Sequence, residues 1–137
     1  MGEKEKQLLL KDLCARLPYG VNILVDLERE FDGGTYGVLC RIEPYVGEKY
    51  PELKGQFLLY QHGCLTPLVV EEVRPYLRPM SSMTKEEKKK VFSCISNGWE
   101  TTACKEIDWL NAHHFDYRGL IPMGLALEAP EGMYKTE

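Results

Sequence analysis

Hydrophobic and polar positions change period several times along the chain, and each change marks an element. Leu10, Leu13, Cys14 and Leu17 recur at i, i+3, i+4 and i+7, the apolar stripe of a helix predicted from about Glu5 to Leu17. Lys6, Lys11, Asp12 and Arg16 fall largely off that stripe. Pro18 disfavours helical geometry at the residue before it, and Gly20 completes the break. The period then drops to two: Val21, Ile23, Val25 and Leu27 alternate with Asn22, Leu24 and Asp26, as in a half-buried strand. A second strand is expected over Thr35 to Glu43. Tyr36, Val38, Cys40 and Ile42 lie on one of its faces, with Thr35, Gly37, Leu39 and Arg41 on the other. Asp32-Gly33-Gly34 suits a connection with positive φ, so the two strands read as an antiparallel hairpin.

Pro44 to Gly55 carries two prolines and two glycines and reads as a loop. Gln56 to Gln61 is a short third strand. His62-Gly63 turns into a fourth from Cys64 to Val70, with a helix opened by Thr66-Pro67 as the alternative. Pro75 and Pro79 leave Glu71 to Leu77 room for one helical turn. The second half turns helical. Thr84-Lys85-Glu86-Glu87 is a capping box, with Val91, Phe92 and Ile95 as the buried face of the helix it starts. Asn97-Gly98 either stops that helix or turns a hairpin between Ser93–Ser96 and Trp99–Thr102. Thr101 or Thr102 begins a third helix to about His113, its stripe formed by Ala103, Ile107, Leu110 and His114. Asp116 to Glu128 is irregular, and Ala129 to Glu137 reads as a frayed polar tail. The fold class is α+β: a small antiparallel sheet or SH3-like, partly open barrel over about residues 20–70. An N-terminal helix and a C-terminal helical half pack with it in a single domain of residues 1–137.

Composition narrows the function classes. A chain of 137 residues, 44% hydrophobic and 28% charged, can bury a core without metal or disulfide staples. Net charge is −4, against the basic surplus of a nucleic-acid binder. The richest basic segment, Lys85 to Lys90, is interrupted by Glu86 and Glu87 and reads as a solvated helix face. No apolar run is long enough to span a bilayer. The amino terminus lacks a secretory pattern, and Lys6 stands where a myristoylation signal needs Ser or Thr. The expected location is the cytoplasm. The five cysteines, Cys14, Cys40, Cys64, Cys94 and Cys104, form no C-x-x-C pair and read as free thiols.

Three runs carry a resemblance: Asp12 to Val21, Arg74 to Thr84, and Asp108 to Asn111 with Gly119 to Ile121. Together with Gly124 to Pro130 they cover about a third of the chain. They resemble short uncharacterised proteins from gut Bacteroidales genomes and their phages and prophages. The resemblance implies a bacterial or phage setting and brings no activity or ligand with it.

Few residues bear chemistry in a recognisable pattern. His113, His114 and Asp116 could supply an acid, a base or metal ligands, the basis of a hydrolase reading. Adjacent helical residues point about 100° apart, however, so one ion cannot easily be shared. The structural alternative has Asp116 capping the next turn and a histidine closing the helix. His62 and Cys64 would need Cys94 and Cys104 to complete a zinc site at unfamiliar spacing, and no metal or cofactor is expected. Ser81-Ser82 reads as a turn. The remaining reading is a non-enzymatic module with a protein partner, its patch drawn from Tyr76, Arg78, Trp109, His113, Tyr117 and Arg118. These include residue types enriched at binding hot spots. The bland account of Arg74 to Pro79 is a crossover linking the sheet to the helical half. Nucleic-acid binding is a third, less favoured reading.

Overall fold

Helix α1 covers Glu3–Arg16 in a computed structural model that describes residues 2–27, 29, 33–96 and 102–134, the side chains of 92–96 and 102–104 excepted. Glu3 and Glu5 in its first turn and Arg16 in its last complement the helix dipole. The 3-10 turn Leu17–Tyr19 follows, and Gly20 closes it at φ +70°, a left-handed conformation that glycine takes without steric cost. The buried face is rotated from the expected stripe: Leu9, Asp12, Leu13 and Arg16 are buried, whereas Cys14 is exposed. Asp12 and Arg16 face inward because they neutralise each other, with Arg16 Nε 2.7 Å from Asp12 Oδ2 and both side chains fully buried. A one-turn ion pair thus occupies positions that hydrophobicity alone assigns to solvent.

Backbone contacts divide the chain into two compact units, Met1–Tyr76 and Leu77–Glu137. The first holds α1 and the strands β1 (Asn22–Val25), β2 (Tyr36–Pro44), β3 (Phe57–Gln61) and most of β4 (Val73–Leu77). The pairings β1–β2, β1–β4 and β2–β3 are antiparallel, which gives the order β3-β2-β1-β4 within this unit, and the sheet is open, with β3 at one edge. The α+β class and the β1–β2 hairpin follow the sequence pattern, although Asp32 in the connection lies outside the described residues. Val21, Ile23 and Val25 are buried as their alternation requires. On β2 the inward residue is Leu39, while Tyr36, Val38 and Cys40 are exposed. A bulge between Leu39 and Arg41 then shifts the register against β3.

Two expectations for residues 64–77 are corrected. Cys64 to Val70 forms neither a strand nor a longer helix: Leu68 makes one isolated bridge to Leu59, and Val70–Glu72 is a 3-10 turn. Glu71 to Leu77 is not a helical turn alone, since β4 begins at Val73 and includes Pro75 opposite Ile23. The Asp26 amide donates to the Glu72 carbonyl at 2.8 Å. Hydrogen-bonded pairs alternate from that point, so Pro75 occupies a non-bonded position towards β1 and its missing N–H is not needed there.

The second unit contains α2 (Lys85–Ser96), α3 (Thr102–Ala112) and the short β5 (Leu127–Glu128). The capping box forms as read: the Glu87 amide donates to Thr84 Oγ1 at 3.1 Å, and the Thr84 amide to Glu87 Oε1 at 3.0 Å. Because α2 stays helical through Ser96, the hairpin reading of Ser93–Ser96 is excluded. Asn97-Gly98, Trp99 and Thr101 lie outside the described residues. On α3, Leu110 is buried as expected, but Ile107 is exposed and Asn111 is buried. The helix ends in a Schellman turn: the His114 amide donates to Asn111 O at 3.1 Å and the Phe115 amide to Leu110 O at 2.9 Å. His114 takes the left-handed position at φ +65°, which a glycine more commonly fills. Leu110 and Phe115, at the two positions whose apolar contact commonly accompanies this motif, are both buried. The tail reading is also corrected through Tyr134, because the Ala129 amide donates to Leu77 O at 2.8 Å and the Tyr134 ring stacks on His114.

Candidate functional site

Arg78 is the centre of the second unit. Its amide donates to His114 O at 2.7 Å, and its carbonyl accepts from the Asp116 amide at 2.9 Å, so the segment leaving α3 fixes its backbone. Its side chain turns inward. Nη1 and Nη2 each lie 2.7 Å from a Glu87 carboxylate oxygen, a bidentate pair in which both residues are buried. The guanidinium also lies 4.1 Å from the centroid of the Phe115 ring.

Further rings extend the same column. Phe115 stacks with Trp109 at 5.8 Å and 10°, and Trp109 with His113 at 4.0 Å and 18°. His113 Nδ1 lies 2.9 Å from the Trp109 carbonyl, which closes the end of α3. Hydrogen bonding to Arg78 holds the Glu87 carboxyl down at about 2; burial opposes this shift, and the Thr84 amide adds to it. Glu87 is therefore both the inner half of the capping box and the counter-ion of Arg78.

The sequence-selected residues separate as follows. Arg78 is buried, while Trp109, His113, Tyr117 and Arg118 are half-buried in the second unit. Tyr76, also half-buried, ends the first unit. Tyr117 donates to Asn111 Oδ1 at 3.0 Å and accepts from Arg118 Nη2 at 3.1 Å. Trp109, His113 and Arg78 belong to the stacked column. Asp116 accepts from the Leu120 and Ile121 amides at 2.8 and 2.9 Å, which makes it the cap of the next turn. His113 lies on Trp109 and His114 on Tyr134, so the two imidazoles have different neighbours. Among the described residues, no three His, Cys, Asp or Glu side chains gather as a metal site. Cys94 and Cys104, named for the zinc reading, lie outside the described side chains.

Beside the column is a cleft of about 700 Å³, lined in part by Arg78, Pro79, Glu128, Pro130, Glu131 and Tyr134. Glu128, Pro130 and Glu131 are exposed, and Tyr134 is half-buried. Arg78 is the one cation among the described residues lining the cleft, and Glu87 already neutralises it. Two exposed carboxylates therefore dominate the charge of the described lining, which also includes Tyr134 and two prolines. Sequence reading placed Glu87 in the capping box but not opposite Arg78, and passed over Glu128, Glu131 and Tyr134. The one local signal that could have found this segment is Pro130-Glu131-Gly132, whose composition suits a turn. No helix among the described residues is long and apolar enough to cross a membrane. Comparison with protein-family models, curated proteins and solved structures gives no match to the chain.

Proposed function

We propose that the protein is a non-enzymatic interaction module whose cleft in the second unit takes an extended segment of a protein partner bearing a cationic side chain. The observation that carries this reading is the charge of the cleft: its one described cation is spent on Glu87, which leaves the exposed Glu128 and Glu131 as the dominant charges of the described lining. A lysine or arginine entering there meets opposite charge from the two carboxylates, with the Tyr134 ring, one face of which is stacked on His114, as a further lining group. Pro79 and Pro130 give the cleft stiff walls, which limits the entropy lost on docking. The proposed setting is the bacterial or phage cytoplasm implied by the three resembling runs, with the protein acting as an accessory factor.

The test is a binding titration of the full chain against labelled peptides of equal length, either lysine- and arginine-containing, neutral or acidic. Preferential binding of the basic peptides is expected, weakening with added salt. The Glu128→Gln/Glu131→Gln variant should lose about tenfold in affinity, roughly 1.4 kcal/mol. Equal affinity for all three peptide classes, or undiminished binding by the double variant, would refute the reading.

A further inference from the structure

Cys40 and Cys64 line one cleft of about 380 Å³ in the first unit, together with Tyr60 and Gln61. Strand pairing brings them there. β2 and β3 pair Leu39 with Gln61 and Arg41 with Tyr60, so Cys40 occupies the bulge between those partners. Its thiol donates to the Tyr60 carbonyl at 3.4 Å. After β3 the chain turns back at once: Gly63 takes φ +79°, and the Cys64 amide donates to Gln61 O at 3.0 Å. A turn of this kind keeps its end Cα atoms within about 7 Å. Cys64 is therefore folded back beside the residues that face Cys40. Both thiols are free, Cys40 exposed and Cys64 half-buried.

We propose that Cys40 and Cys64 are a reversible dithiol–disulfide pair, oxidised by a small-molecule disulfide of the glutathione class. The Cys40 thiolate, the more exposed of the two, attacks one sulfur of the small disulfide. A mixed disulfide forms and one small thiol leaves. The Cys64 thiolate then attacks Cys40 Sγ and displaces the second small thiol. The protein gives up two electrons and two protons for its new S–S bond, and the small disulfide is reduced to two thiols. The bond ties the turn after β3 to the bulge of β2 and narrows the cleft between them. Its exposure suits it to follow the redox state of its surroundings, as accessible disulfides do.

The test treats the full wild-type chain with oxidised glutathione, blocks remaining thiols by alkylation, digests with trypsin and maps the peptides by mass. Arg41, Lys49 and Lys54 lie between the two cysteines, so trypsin separates them unless they are bonded. The expected product is a Cys40–Cys64 cross-linked peptide pair, lost on treatment with dithiothreitol. The Cys64→Ser variant should instead retain a glutathione adduct on Cys40. Adducts on both cysteines of the wild type without a cross-link would overturn the proposal. So would a bond from either one to Cys14, Cys94 or Cys104.

Discussion

Arg78 and Glu87 face each other through two hydrogen bonds of 2.7 Å in the buried part of the second unit. Each residue has a further commitment, Arg78 to the Phe115 ring and Glu87 to the Thr84 cap. Removing one partner leaves the other's charge in a low-dielectric surrounding, which is more damaging than the loss of attraction alone. Glu87→Ala or Arg78→Ala should therefore destabilise the protein by about 3–5 kcal/mol in urea unfolding. The joint replacement Arg78→Met/Glu87→Leu should fall well short of the sum of the single losses. Additive losses would show that the two side chains do not act as a pair.

The same pair sets a dependence on acid. The Glu87 carboxyl is lowered from 4.5 to about 2, mainly by Arg78. A depressed carboxylate contributes stability that is fully present above its unfolded value and is lost as pH falls through its folded value. Stability should thus decline between about pH 4.5 and pH 2 in part through this group. The slope over that window, measured by unfolding at stepped pH, should be flatter in Glu87→Gln. An unchanged slope would assign the acid sensitivity to other carboxylates.

Asp12 and Arg16 pose the corresponding test in the first unit, one turn apart on α1 and fully buried. Asp12→Ala should cost about 3–5 kcal/mol, whereas an exposed i,i+4 pair is worth only about 0.3–0.5 kcal/mol. Chemical denaturation distinguishes these values directly. A loss below 1 kcal/mol would mean that the pair is solvated.

Gly37 on β2 meets a different constraint. A Cβ added there would lie 2.8 Å from Gln61 Cγ, closer still to Nε2 of the same side chain, and against a residue that is only 5% exposed. The Gln61 amide group donates to Tyr36 O at 2.9 Å, so it cannot withdraw without losing that bond. Gly37→Ala should destabilise by about 1–3 kcal/mol through overpacking. Adding Gln61→Ala should recover part of the loss, because the two changes share one space. Thermal unfolding of the single and double variants checks this; no recovery would place the strain elsewhere.

The local signals in the chain determined the elements that depend on neighbours in sequence. The Thr84–Glu87 box, the break at Gly20, the alternation of Val21, Ile23 and Val25, and the capping role of Asp116 are contacts made within a few residues. They need no knowledge of the rest of the fold. Tertiary structure decided the cases where a distant partner changes what a residue can tolerate. Pro75 enters a strand because its register on β1 spares the missing amide, and Asp12 and Arg16 turn inward because each cancels the other's charge. Arg78, Glu87, Phe115 and Tyr134 meet only after the chain has folded back on itself. Hydrophobic periodicity scores each residue separately for water or oil, whereas burial of a charge depends on whether its counter-charge arrives at the same place.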